Sequence, residues 1–167
     1  MLESNELARF EAAVLPHLDA AYTLARYLTR NDHDAEDVVQ DACVRALKYF
    51  DTFRGEQGTS ARAWLLTIVR NTAYSWHKGH RNDALTTEFD ETEHSHVVAD
   101  ADPDAKETLS RALERLAPEF REVIVLRELQ GLSYKEISDV AGVPVGTVMS
   151  RLSRARTQLQ RALRKED

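Results

Sequence analysis

Apolar residues recur at helical spacing over residues 6–28, 35–50, 61–80, 105–116 and 118–130, and no segment shows the alternation of a half-buried strand. The pattern predicts an all-α fold. The repeat fails over residues 82–104, where threonines, acids, His94, His96 and Pro103 replace it, which is the composition of a linker. Two small helical domains are therefore expected, over residues 1–81 and 105–167, joined by an acidic linker over 82–104. No internal repeat is visible.

The stretch 131–164 reads as two short helices around a tight turn. Ser133 is suited to cap the first helix, and Glu136 three residues on completes a capping box. Gly142 can take positive φ cheaply and ends that helix. Pro144 confines its predecessor to extended backbone, so the chain must bend between Ala141 and Val145 before a second helix starts near Thr147. In the second helix Val148, Leu152, Ala155 and Leu159 should pack on Ile137 and Val140, leaving Ser150, Arg151, Arg154 and Arg156 for the other faces. Residues 145–165 contain no Asp or Glu but carry Arg151, Arg154, Arg156, Arg161, Arg164 and Lys165. A helix-turn-helix of this kind lays its second helix in the major groove, where arginines reach phosphates or the N7 and O6 edge of guanine. A solvated helical pair, or a helix-turn-helix used for protein contact, is the plainer alternative.

Composition adjusts this picture in one respect. The chain has 167 residues, 43% of them apolar, and a formal charge of −6, which excludes a uniformly basic nucleic-acid coat. The charge is segregated, however. Asp32, Asp34, Glu36, Asp37 and Asp41 cluster early, Arg62, Arg70, Lys78 and Arg81 lie in a stretch without acids, and residues 88–104 are acidic without a base. Such blocks suit different partners. The single cysteine, Cys43, excludes an internal disulfide framework, and no apolar run is long enough for a bilayer span or signal peptide, so a cytoplasmic location is expected.

Two further helices carry candidate surfaces. Ala35, Val38, Val39, Ala42, Cys43, Ala46, Leu47 and Phe50 form a broad stripe expected to be buried, which leaves Asp37, Gln40, Asp41 and Val44 on an outward strip. Acids and an amide beside an apolar edge suit docking onto a basic protein helix; a solvated face, with the acids favouring the helix N-terminus, fits equally well. In the helix over 61–80, Trp64, Leu65, Ile68, Val69 and Ala73 read as core, while Arg62, Arg70, Asn71, Tyr74, His77, Lys78 and Arg81 form a basic, partly aromatic surface of the type that binds single-stranded or melted DNA. Trp64 and Trp76 are as well explained by packing. The loop 53–60 can accept an extruded base or simply connect two helices.

Taken in order, DAEDVVQDACVRAL (34–47), RAWLLTIVRNTAYSWHKGHR (62–81) and GLSYKEISDVAGVPVGTVMSRLSRAR (131–156) resemble the extracytoplasmic-function (ECF) sigma factors, small two-domain initiation subunits of bacterial RNA polymerase. The resemblance covers nearly the whole chain. It implies that Asp37, Gln40, Asp41 and Val44 contact the clamp helices of the polymerase β′ subunit, and that the second domain meets the β flap. It implies a minus-ten promoter surface of Arg54, Arg62, Arg70, Asn71, Tyr74 and Arg81, and a minus-thirty-five surface of Thr147, Met149, Ser150, Arg151, Arg154 and Arg156. It also implies an anti-sigma partner, no cofactor, no metal and no catalytic residue of its own. Met149 stands where many members have Arg or Lys, which replaces a phosphate or base contact by an apolar one suited to a thymine methyl. Ser138 stands where alanine is commoner, and little consequence is expected. Neither the long N-terminal inhibitory region nor the middle promoter-contacting domain of the larger sigma factors has a counterpart.

Rival readings use fewer of these features. A regulator with a sensory first half explains only the helix-turn-helix. A metal enzyme built on His33, Asp34, Glu36, Asp37 and Asp41, with His77 and His80 or His94 and His96 as nitrogen ligands, lacks a nucleophile or phosphate loop. The linker reaches at most about 70 Å extended and averages about 25 Å as a free coil, so separated promoter elements require it drawn out. In the free protein, residues 88–104 are expected to fold back over the arginine-rich helix.

Overall fold

The computed structural model describes residues 4–53, 60–79 and 103–165, and every regular element among them is helical. The α-helices are α1 (Ser4–Val14), α2 (Leu18–Thr29), α3 (Asp32–Lys48), α4 (Ala61–Gly79), α5 (Pro103–Glu114), α6 (Pro118–Ile124), α7 (Tyr134–Ala141) and α8 (Val145–Lys165). The fold-back expected of residues 88–104 falls almost wholly outside the described residues.

The repeat over 6–28 is not one helix. Pro16 has no N–H to give to the preceding turn, and the chain passes through a 3-10 turn, Leu15–His17, between α1 and α2. Arg30 then adopts left-handed backbone (φ 60°), its N–H closing on the Arg26 carbonyl at 2.8 Å, which stops α2. Extended Asn31 caps α3 by accepting the Asp34 N–H at 2.9 Å.

Helices α2, α3 and α4 pack on one another through Leu24, Leu28, Val38, Leu65, Leu66 and Val69, with alanines at Ala21, Ala25, Ala35, Ala42, Ala46, Ala63 and Ala73. Each fully buried leucine contributes about 1.5–3 kcal/mol. The alanines leave little side chain between the helices and let their axes approach closely. Phe10, Phe50, Phe53 and Trp64 close one end, Trp64 lying 5.0 Å from Phe53 and 6.1 Å from Phe50 between ring centroids. Trp64 is therefore packing, and the stripe read for α3 needs one correction. Leu47 is 38% exposed, because it lies beyond the edge that faces α2 and α4.

After α6 the helix widens into a π turn, Val125–Leu129, with the Gln130 N–H reaching back to the Val125 carbonyl at 3.0 Å. Gly131 takes φ 69° and the N–H of Leu132 returns to the Leu126 carbonyl, so a left-handed glycine ends the run and turns Leu132 inward. Both capping-box bonds at Ser133 and Glu136 are made, at 3.1 and 3.0 Å, and Gly142 ends α7 at φ 70°. Helix α8 starts at Val145, two residues earlier than expected. The Pro144 carbonyl already accepts the Val148 N–H, so the proline does not delay the helix.

Ser138 has more consequence than its small size suggests. Its hydroxyl donates to the Val143 carbonyl while its own carbonyl accepts from Gly142 and Val143, at 2.9 and 3.2 Å, tying the turn to α7. Ser138→Ala is expected to cost about 1 kcal/mol, read as a lower melting temperature.

The halves on either side of residues 80–102 share one apolar cluster. Val123, Ile124, Val125, Leu126, Leu132, Ile137, Val140, Val148, Leu152 and Ala155 continue the core begun by α2–α4. Helix α2 packs on α6 and α4 on α7.

Candidate nucleic-acid and partner interfaces

The acids at the start of α3 separate into two groups. Asp32 is largely buried and accepts from Arg26 at 2.5 Å, and Arg26 also reaches Glu114 on α5 at 3.5 Å. Asp37 and Gln40 are exposed, whereas Asp41 is half-buried and faces Arg45 at 3.4 Å. Val44 is 65% exposed and Leu47 and Tyr49 lie beyond it, so the outward strip is acidic at its start and apolar at its end. No group of three or more His, Cys, Asp or Glu converges as a metal site among the described residues. Cys43 beneath the strip is half-buried, and burial pushes its thiol up, away from the reactive thiolate.

The face of α4 read as a DNA surface is turned toward the second half of the chain. Arg70 donates to Glu122 of α6 at 2.5 Å, and Tyr74 donates through its hydroxyl to the other oxygen of that carboxylate at 3.0 Å. The Arg70 guanidinium also lies 4.3 Å from the centre of the Tyr74 ring. Arg62 donates to the Gln130 carbonyl at 2.9 Å and approaches Glu136, while Ser60 donates to Glu136 at 3.1 Å. Asn71 is exposed at the edge of this cluster. Arg54 and Arg81 lie outside the described residues.

Glu122 is the residue that the pattern reading passed over. It is fully buried (0% exposed), and burial pushes its carboxyl up against the opposing pull of Arg70, Tyr74 and, at longer range, Arg151 of α8. The same burial and the neighbouring carboxylate hold the Tyr74 hydroxyl protonated, well above the usual phenol range. An acid on the apolar stripe just before Val123–Ile124–Val125–Leu126 was the available signal.

Next to it, Arg121 is 3% exposed and donates to the carbonyls of Leu113, Leu116 and Glu114 at 3.1, 2.8 and 3.5 Å and across the interface to Tyr27 at 2.9 Å. Burial, with Arg30 nearby, lowers its pKa to about 10, so it remains charged at neutral pH. Tyr27 and Ser110 add a hydroxyl pair at 3.1 Å.

The helix-turn-helix presents a different surface. Val148, Leu152 and Ala155 are buried and Leu159 half-buried, as the spacing predicts. Met149 is 53% exposed; Ser150 and Arg154 are exposed beside it, and Thr147 and Arg151 are half-buried. Arg154 makes no ion pair among the described residues, whereas Arg156 donates to Glu128 at 2.7 and 3.2 Å and braces α8 on the π turn.

A helix-turn-helix whose second helix is free of acids, packed on a helical body whose outer helix carries an acidic and apolar strip, has the architecture of a DNA-binding protein. Residues 13–82 match sigma-70 region 2 and residues 106–159 match sigma-70 region 4. The ECF RNA polymerase sigma-E factor of Haemophilus influenzae is 37% identical over 150 residues, covering 82% of this chain and 77% of that protein. The sigma factor RpoE of Bartonella quintana, solved with the anti-sigma factor NepR, superposes with a TM-score of 0.80 at 34% identity, covering 93% of this chain and 97% of that one. CnrH, solved with the cytosolic domain of CnrY, gives a TM-score of 0.70 at 28% identity over 95% of this chain and 89% of that one. The chain belongs to the ECF sigma factors of the sigma-70 family, and it is an RNA polymerase sigma factor, a transcription initiation factor. No helix among the described residues is long and apolar enough to cross a membrane.

Proposed function

We propose that this sigma factor docks on core polymerase through Asp37, Gln40, Asp41 and Val44, extended by Leu47, and reads promoter DNA with two other surfaces. The observation that carries the reading is the coexistence of an exposed acidic and apolar strip on α3 with an acid-free recognition helix on the opposite half. Arg62, Arg70, Asn71 and Tyr74 meet the opened minus-ten strand together with Arg54 and Arg81. Thr147, Met149, Ser150, Arg151 and Arg154 approach the minus-thirty-five duplex, and Met149 is exposed enough to lie on a thymine methyl. Arg156 braces the recognition helix before it meets phosphate.

The division of labour follows the two halves, residues 1–81 and 105–167, with 82–104 spanning the promoter elements. Bond formation belongs to the polymerase, and the protein works in the cytoplasm beside it. The Bartonella quintana neighbour was solved with an anti-sigma factor, which supports control of this chain by such a partner.

Reconstitution with bacterial core polymerase on a promoter library tests the reading: start sites that appear only with this protein are expected, and recruitment without new start sites would reject it. Arg154→Ala is expected to weaken binding to the selected upstream duplex by about 1–3 kcal/mol if it makes a bidentate base contact, with relaxed discrimination at one position. A uniform loss across sequences would assign Arg154 to phosphate. Titrations on matched and mismatched duplexes separate the two.

A further inference from the structure

We propose that Glu122 is an internal latch which, in the free protein, occupies the place of a promoter-strand phosphate on Arg70 and Tyr74 and holds the proposed minus-ten face of α4 shut against α6. The proposal rests on the reading of α4 as a nucleic-acid surface.

Arg70 and Tyr74 supply what an anionic oxygen pair requires: a guanidinium at 2.5 Å from one Glu122 oxygen and a phenol hydroxyl at 3.0 Å from the other. The ring that a base would stack on is covered by the Arg70 guanidinium at 4.3 Å. Glu122 is fully buried, whereas Arg70 keeps some solvent contact, so the carboxylate is delivered to the arginine by helix packing. Arg62 is engaged in the same direction, on the Gln130 carbonyl, and Ser60 at the mouth of the loop on Glu136. Three of the proposed DNA contacts on α4 are thus satisfied internally at once. A phosphate backbone has to displace these internal partners, and it gains all three groups only when α6 and α7 withdraw. Opening returns Glu122 to water and frees Arg70 and Tyr74 together.

The test uses the full-length chain carrying Glu122→Gln, with Glu119→Gln, an exposed acid one turn-face away on α6, as the charge-matched control. Small-angle scattering reports the separation of the halves. Fluorescence anisotropy with a labelled random-sequence single-stranded oligonucleotide at low salt reports release of the cationic face, since phosphate contacts carry no sequence information. Glu122→Gln is expected to raise the radius of gyration and tighten oligonucleotide binding by about fivefold or more, the lower end of ordinary coupling between sites. Glu119→Gln should change neither. Adding Arg70→Ala to Glu122→Gln should abolish the gain. If Glu122→Gln does not fold, Tyr74→Phe keeps the ring, removes one bond to the latch, and should give a smaller change in the same direction. The absence of both expansion and tighter binding in Glu122→Gln would overturn the latch, as would an equal gain in Glu119→Gln or a gain that survives loss of Arg70. Expansion without tighter binding would instead overturn the assignment of α4 to DNA.

Discussion

Arg121→Ala is expected to destabilise the protein by about 3–5 kcal/mol, the cost of leaving two or more buried acceptors without a donor. Arg121 serves the carbonyls of Leu113, Glu114 and Leu116, where α5 ends and the chain turns into α6, and also Tyr27 near the end of α2. Helix ends leave carbonyls without intrahelical partners, and this one is buried where water cannot replace the arginine. Burial of the guanidinium is itself costly, as its lowered pKa records, so removing it relieves part of the penalty; several simultaneous hydrogen bonds outweigh that relief. Arg121→Lys retains the charge but not the planar fork, and should recover only part of the loss. Chemical denaturation of the three proteins checks the order; a midpoint for Arg121→Ala equal to that of the parent would show that the carbonyls find other donors.

Charge reversal at the outer strip should act on partnership and leave the fold alone. Asp37→Lys combined with Asp41→Lys is expected to weaken binding to core polymerase by roughly 3 kcal/mol or more, over about a hundredfold, because like charges then face each other across the contact. Asp37 is exposed, and the Asp41–Arg45 pair is nearly half exposed on both sides, so the intramolecular loss is at most a few tenths of a kcal/mol. The measurement is competition for labelled core polymerase, with thermal melting as the control. Unchanged recruitment would return the strip to the status of a solvated face.

The two predictions differ in how visible their residues are in the chain. Asp37, Gln40, Asp41 and Val44 are legible because one helix places them at steps of three and four, and α3 forms where the pattern requires. The helix-turn-helix is legible for the same reason: Ser133, Glu136, Gly142 and Val148 act over a few residues, and all take the conformations expected of them. Local chemistry also explains the misses. Pro16 breaks a repeat that periodicity alone carries through, and Leu47 has the spacing of a core residue but no helix above it.

The role of Arg70, Tyr74 and Arg62 in the free protein is of another kind. Their partners, Glu122, Gln130 and Glu136, lie roughly 50–75 residues further on. Spacing rules for a single helix do not extend across such a separation. The sequence pattern places basic and aromatic side chains on one face of α4, but what covers that face is decided by the packing of α4 on α6 and α7.

The seam between the halves relies on arginine donors meeting main-chain acceptors: Arg121 on Tyr27, and Arg62 on Gln130. Every residue type supplies a carbonyl, so substitutions at Tyr27 or Gln130 leave those acceptors in place. Over evolutionary drift, the main-chain acceptor in each of these two contacts survives a change of side chain while the arginine does not, although Tyr27 is also held by its own hydroxyl contact with Ser110.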